Sequence, residues 1–266
     1  SGSLWMITKD GLIEYSDNPI GHVVQSLLLH NNKLFVAVNM SGNIQVYDIS
    51  ETGLSFNTQI ETNNSGPREM IIVDQYLYFT NWYSTDVKKL NLNTLQIEAE
   101  ILTPGLPEDI VYKDGLLFIS IIMNYDWSDG NLVITIDPDT DTIIDNYDVG
   151  LGSNALLVHD NEIYVSRTYY DTDWNAYYGT SKINSDGEIT IVNYGSGSAC
   201  GGGIYSLQNA VYRIYDGGIA QLDDGLQIIP ETRLGSYDSW SVYSAAVISE
   251  YIYFGLSDYI NSDEIA

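Results

Sequence analysis

One short strand-like motif occurs six times in this sequence at nearly constant spacing. Each copy has an aliphatic residue, called the anchor below, in a run of apolar and aromatic residues. The anchors are Leu34, Leu77, Leu117, Ile163, Val211 and Ile252. Successive anchors are 43, 40, 46, 48 and 41 residues apart, so six units account for all 266 residues. This regularity restricts the chain to a repeat architecture, in which neighbouring units bury one another's apolar faces.

Each unit contains the pattern of four short antiparallel strands. An apolar strand precedes the anchor strand across a polar turn, as residues 71–73 precede residues 76–79, and two more strands follow, joined by a hairpin turn. No long segment repeats apolar residues at helical spacing. Four strands every 40 to 48 residues are typical of propeller blades. We therefore predict an all-β, six-bladed β-propeller with four antiparallel strands per blade, forming a single domain over residues 1–266.

The two ends of the sequence predict how the ring closes. Residues 4–15 have the pattern of a β-hairpin, whereas the last unit has little chain left for its third and fourth strands. We expect the N-terminal hairpin to complete the last blade, which would cover its exposed sheet edge.

Several segments resemble the YncE-like (YVTN-repeat) propeller family. Residues 66–81 are similar to the blade opening of that family, with a Gly-Pro pair before an apolar strand and an Asn at the end of the next strand. Residues 107–118 repeat this pattern, and residues 77–82 are similar to the repeats of YWTD/NHL-type six-bladed propellers. The resemblance implies the propeller fold, and a role as either a secreted or surface binding protein or, in a few members, an enzyme.

Charge restricts the partners of the chain. Ten Lys and Arg against 36 Asp and Glu give a formal net charge of −26, which disfavours nucleic acid and anionic membrane surfaces. No apolar run approaches the length of a membrane-spanning helix. Cationic groups, divalent metals and neutral sugars are the compatible ligands. The acidity also favours an extracellular, cell-surface or periplasmic protein that stays soluble as a monomer.

The longest unit contains a candidate calcium loop. Asp171, Asp173 and Asn175 have the one-three-five spacing of oxygen ligands in calcium loops. The glycine at position six and the glutamate at position twelve of such loops are both missing. A solvated acidic loop is therefore the alternative interpretation, and calcium is the one cofactor that the sequence suggests.

The candidate ligand site follows from the repeat register. The residues nine positions before each anchor begin the first strand of each blade, and they are Gln25, Arg68, Glu108, Asn154, Gly202 and Tyr243. These positions vary and are mostly polar, whereas the anchors are all aliphatic. We predict a recognition ring at the central channel, with Trp82, Trp127 and Tyr170 as an outer aromatic wall. Solvated residues around a water-filled channel are the alternative.

These observations predict a binding module whose ligand lies on the loop-rich face over the channel. The ligand would be a glycan, a cationic or large polar small molecule, or a segment of a partner protein. The alternative is a propeller enzyme, such as a metal-assisted lactonase or a lyase, for which Glu108, Asp109 and Asn154 would be the available groups. No residue is assigned a catalytic role.

Overall fold

The computed structural model describes residues 4–8, 11–15, 20–51, 53–197, 202–235, 237, 241–248, 251–258, 260 and 264–266. Within these ranges the chain forms 25 strands and one short 3₁₀ turn. The fold is a six-bladed β-propeller, as the sequence predicted: five blades are four-stranded antiparallel sheets, and three antiparallel strands of the sixth are described. Among the residues described, no helix has the length and apolar character needed to cross a membrane. The chain divides into two compact units, Ser1–Ile119 with Thr135–Ile144, and Ser120–Ile134 with Asp145–Ala266.

The first unit holds an N-terminal hairpin, two complete blades and the first strand of the third blade. The hairpin is β1 (Leu4–Thr8) and β2 (Gly11–Tyr15). The first blade is β3 (Val24–His30), β4 (Lys33–Val38), β5 (Asn43–Ser50) and β6 (Gly53–Glu61). The second blade is β7 (Pro67–Val73), β8 (Tyr76–Asn81), β9 (Asp86–Asn91) and β10 (Gln96–Leu102). The third blade begins with β11 (Gly105–Lys113). Its other strands, which each belong partly to both units, are β12 (Leu116–Asn124), β13 (Asp129–Asp137) and β14 (Thr142–Asp148).

The second unit holds the remaining blades. The fourth blade is β15 (Ser153–His159), β16 (Glu162–Tyr170), β17 (Ala176–Ile183) and β18 (Ile189–Ser196). The fifth blade is β19 (Ile204–Leu207), β20 (Ala210–Tyr215), β21 (Gly218–Leu222) and β22 (Ile228–Leu234). The sixth blade contains β23 (Ser241–Ile248), β24 (Tyr251–Ser257) and β25 (Glu264–Ile265).

The anchors lie in the apolar core, as their aliphatic character predicts. Five of the six are buried, and Ile252 packs partly buried against the core of the last blade. In the first unit, Leu77 joins a cluster that also includes Phe35, Phe79 and Leu90. The central strands β4, β5, β8 and β9 are buried over most of their length, so the strict alternation of a half-exposed sheet is absent there.

A β-bulge recurs in the first strand of four blades. The register against the second strand shifts by one residue between Val24 and Ser26, Pro67 and Met70, Ser153 and Leu156, and Val242 and Ser244. A bulge leaves one extra residue unpaired, bends the strand and re-aims its side chain. The small residues three positions after the anchors, including Ala37, Thr80 and Ser166, lie opposite or beside these bulges. Their small size therefore has a local cause that the sequence did not show.

The N-terminal hairpin forms as predicted, with Leu4 paired to Tyr15 and Thr8 to Gly11. Leu4 is buried with Leu34, Val36 and Val38 in an apolar cluster of the first unit. In the last blade, β25 pairs with Gly255 and Leu256 of β24, a strand that the sequence did not predict. Completion of the last blade by the hairpin stays a prediction.

Candidate functional site

Polar and charged side chains gather where the first strands of blades one, two and three begin. Gln25 lies on β3, Arg68 and Glu69 on β7, and Glu108 and Asp109 on β11. With Trp82, which follows β8, these residues are called the Arg68 cluster below. All of them belong to the first unit. Three of the predicted ligand-site residues, Gln25, Arg68 and Glu108, are thus brought to one place.

Arg68 is the centre of this cluster. Its Nη2 donates to Glu108 Oε1 in an ion pair, and its guanidinium carbon lies 4.7 Å from the centre of the Trp82 ring. The Glu108 side chain is only 8% exposed, and that of Arg68 is 17% exposed. Within the described part of the chain, Arg68 Nε and Glu108 Oε2 have no hydrogen-bond partner. The pair is therefore fixed and desolvated, and its hydrogen-bonding capacity is only partly used.

Backbone hydrogen bonds hold the cluster in place. Thr80, which is fully buried opposite the β7 bulge, accepts from the Glu69 backbone N–H at 3.0 Å and donates to the Glu108 carbonyl oxygen at 2.7 Å. The hydroxyl of Ser26 donates to the carbonyl oxygen of Arg68. One hydroxyl thus links β8 to β7 of the same blade and to β11 of the next, so the residues of the cluster other than Trp82 are held on paired strands.

Two carboxyl groups in the cluster have strongly altered acidity. Burial raises the pKa of Glu69 to about 8, and the charges of Asp109 and Glu108 add to this effect, while Arg68 and a hydrogen bond with Gln25 oppose it. Burial raises the pKa of Glu108 to about 7 against the opposing effect of Arg68. Glu69 therefore keeps its proton at neutral pH, and the cluster has both a carboxylic acid and ionised groups.

Glu69 was not predicted from the sequence, and Asp109 was predicted only for the enzyme alternative. Counting back from the anchor selects one residue per blade, but the β7 bulge adds a residue and brings Arg68 and Glu69 together to the cluster. The sequence did contain one signal for Glu69 and Asp109: a pair of polar residues precedes the apolar part of each strand, as in Arg68–Glu69 and Glu108–Asp109.

The other predicted ring positions lie in the second unit. Asn154 is on the β15 bulge, and a Cβ atom at Gly202 would come within 2.8 Å of its Nδ2 atom. Gly202 also has a φ of +53°, so both space and backbone conformation favour glycine there. Tyr243 lies on the β23 bulge and is half exposed.

The predicted aromatic wall is divided between the two units. Trp82 packs on Arg68, whereas Trp127 and Tyr170 are exposed aromatic residues of the second unit. The Tyr170 ring lies 6.3 Å from that of Trp174, which is 82% exposed, and the Tyr170 backbone N–H donates to Asp129 at 2.9 Å.

The candidate calcium loop forms a hydrogen-bonded turn around Asp171. One carboxylate oxygen accepts from the backbone N–H groups of Asp173 and Asn175, and the other accepts from the Asn175 amide and the Tyr177 hydroxyl. The bonds from Asn175 are the main reason why the pKa of Asp171 is lowered. Within the described ranges, no three His, Cys, Asp or Glu side chains are arranged to hold a metal ion.

A cavity of about 380 Å³ lies at the opposite ends of β3 and β7 from the Arg68 cluster. Its lining is mixed and includes His30, Lys33, Phe35, Asp74 and Leu92. This cavity is a separate concave site within the first unit, and it was not predicted from the sequence.

Comparisons with known proteins show the fold. No model of a protein family matches the sequence, and no curated protein matches it. Hydrazine synthase of Kuenenia stuttgartiensis is similar in structure, with a TM-score of 0.68 and 13% identity over 91% of this chain and 76% of that one. BamB from Moraxella catarrhalis is similar with a TM-score of 0.60 and 14% identity, over 92% of this chain and 71% of that one. The WD40 domain of Toxoplasma gondii coronin is similar with a TM-score of 0.62 and 11% identity, over 88% of this chain and 66% of that one. The YncE-like subfamily stays a hypothesis.

Proposed function

We propose that this propeller is an extracellular, cell-surface or periplasmic binding module, and that its Arg68 cluster recognises a small polar ligand or the polar end of a larger one. The observation that carries the proposal is the fixed Arg68–Glu108 pair under Trp82, with Glu69 and Asp109 beside it. Small-molecule sites typically orient their ligand with a small number of polar groups that are held on strands or helices beside an aromatic ring.

The partly exposed members of the cluster would make the contacts. Gln25, Glu69, Asp109 and Trp82 are all partly accessible, while Glu108 is buried and serves to hold Arg68. The carboxyl and amide groups provide both donors and acceptors, and the aromatic ring provides apolar contact area. Trp127, Tyr170, Asn154 and Tyr243 lie in the second unit and remain proposed ligand contacts of that unit by itself, for a glycan or a partner segment.

An enzyme remains the second candidate because the acidity of Glu69 favours it. A carboxyl with a pKa of about 8 is protonated at neutral pH and can act as a general acid in lactone opening or elimination. Catalysis would require turnover that depends on this proton, so Glu69→Gln would abolish activity. In the binding function the same substitution changes affinity only.

A thermal-shift and NMR screen of neutral sugars, amines and small polar acids tests the proposal. For any binder found, Asp109→Asn and Trp82→Ala should each weaken binding by about tenfold or more, with unchanged folding. Asp186→Asn, in an exposed turn of the second unit, is the matched control and should bind normally. Binders that keep wild-type affinity in both cluster variants would contradict the proposal.

A further inference from the structure

The Arg68 cluster has more acidic groups than basic ones. It contains three carboxyl groups, those of Glu69, Glu108 and Asp109, and one guanidinium group. The guanidinium is already engaged, because it forms the ion pair with Glu108 and lies over the Trp82 ring. A second positive charge would therefore be stabilised by the cluster, whereas an anionic ligand would be repelled.

A second observation concerns Glu108 itself. Its residue is 6% exposed, and its Oε2 atom accepts no hydrogen bond within the described part of the chain. In its ionised form, which a cation nearby would favour, the Glu108 carboxylate has only acceptors, so this buried oxygen then requires a donor from outside the present set of side chains. An N–H group that is drawn into the cluster would meet this need, either directly or through a bridging water.

We propose, on the basis of the binding function above, that the ligand of the Arg68 cluster carries an ammonium or amidinium group, and that it binds in exchange for a proton. The protonated carboxyl of the free site loses its proton to solvent, and the positive charge of the ligand takes its place. Charge is thus conserved within the site, and one proton appears in solution for each cation bound.

The electrostatics of the free site support this exchange. The charged groups that face Glu69 are Arg68, Glu108 and Asp109, and the amide of Gln25 hydrogen-bonds to it. Burial and the two acidic neighbours outweigh the effect of Arg68, which is why the pKa of Glu69 rises to about 8. The proton on Glu69 neutralises negative charge that Arg68 alone does not offset. A bound cation would lower this pKa and release the proton near neutral pH.

A neutral polyol would behave differently. Its hydroxyl groups could hydrogen-bond to the protonated form of Glu69 as well as to the ionised form, so binding would release no proton. The pH dependence of affinity therefore separates the two classes of ligand without knowledge of the natural one.

The test compares N-methylglucamine, a cationic polyol, with sorbitol, its neutral analogue, by isothermal titration calorimetry from about pH 6 to pH 8. Below the pKa of Glu69 we expect the affinity for N-methylglucamine to rise by about tenfold per pH unit, with heats that vary with the ionisation enthalpy of the buffer. Sorbitol should bind more weakly, with no such trend. Glu69→Gln should leave only the smaller pH dependence that Glu108, with its pKa of about 7, contributes, whereas Glu51→Gln, at an exposed position, should behave as wild type.

Two contrary results are distinguishable. Equal, pH-independent affinities for both compounds would overturn the cation proposal and leave the binding function in place. Failure of both to bind, with no change in the NMR signals of the Trp82 indole, would overturn the cation proposal and count against the binding function as well. Asp109→Asn provides a second variant if Glu69→Gln does not fold. It should weaken the binding of N-methylglucamine more than the binding of sorbitol.

Discussion

The hydroxyl of Thr80 donates a hydrogen bond of 2.7 Å to the backbone carbonyl oxygen of Glu108, 28 residues away in the next blade. The same hydroxyl accepts from the backbone N–H of Glu69 at 3.0 Å. Thr80 therefore joins the bulge that carries Arg68 and Glu69 to the strand that carries Glu108. One buried side chain thus ties together the two strands that carry Arg68, Glu69 and Glu108.

Replacing Thr80 tests this link. Thr80→Val keeps the shape of the side chain but leaves the Glu108 carbonyl oxygen without its donor, so we expect a loss of about 1–3 kcal/mol in the free energy of unfolding. Thr80→Ser, which keeps the hydroxyl, should lose less. Urea unfolding of the three proteins measures both values. Equal stability of wild type and Thr80→Val would show that the hydrogen bond contributes nothing.

The raised pKa of Glu69 predicts that the protein becomes less stable in alkali. Its pKa is about 8 in the folded protein against an ordinary value of 4.5, so the folded state binds the proton more tightly. This contribution is fully present below about pH 4.5 and is lost as the pH rises through about 8. Glu69→Gln cannot ionise, so its melting temperature should fall by several degrees less than that of wild type between about pH 6 and pH 9.

Glu51→Gln is the control for this comparison because Glu51 is exposed. Its melting temperature should follow that of wild type at every pH. Parallel curves for wild type and Glu69→Gln would contradict the assignment of a buried proton to Glu69.

The N-terminal hairpin is expected to contribute to stability. Deleting residues 1–15 would remove Leu4 from its buried contacts with Leu34, Val36 and Tyr47 and expose an apolar surface. The loss in the free energy of unfolding should exceed the roughly 2–5 kcal/mol typical of a buried Leu→Ala substitution, and the variant should also tend to aggregate. Leu4→Ala is the milder variant. A soluble deletion variant with an unchanged melting temperature would contradict the predicted role of the hairpin in closing the last blade.

The Asp171 turn predicts a result for calcium. Both oxygens of Asp171 already accept hydrogen bonds from within the loop, so we expect a chelator to leave the melting temperature unchanged. Asp173→Ala should be equally insensitive to the chelator. A melting temperature that falls with chelator in wild type, and no longer responds in Asp173→Ala, would instead establish the calcium site.

The fold could be predicted from sequence because the repeat is a global constraint. Six aliphatic anchors at similar spacing require six similar units, and their burial follows from the stacking of sheets. The strand β25 could not be predicted, because a two-residue pairing leaves no periodic pattern.

The site could be predicted only in part. The repeat register selected Gln25, Arg68 and Glu108, since the start of a strand is a fixed position in every blade. It missed Glu69 because an inserted residue in a bulge breaks the period of two on which side-chain direction depends. The altered acidity of Glu69 depends on burial and on neighbours from other strands, and neither can be seen in a linear sequence.

The most direct test of the central claim is a crystal structure of the protein soaked with a ligand from the binding screen. Our account predicts that the polar end of the ligand lies within hydrogen-bond distance of Glu69 or Asp109 and beside Trp82, with the Arg68–Glu108 pair intact. A ligand found instead in the cavity lined by His30 and Leu92, with the Arg68 cluster empty, would contradict it.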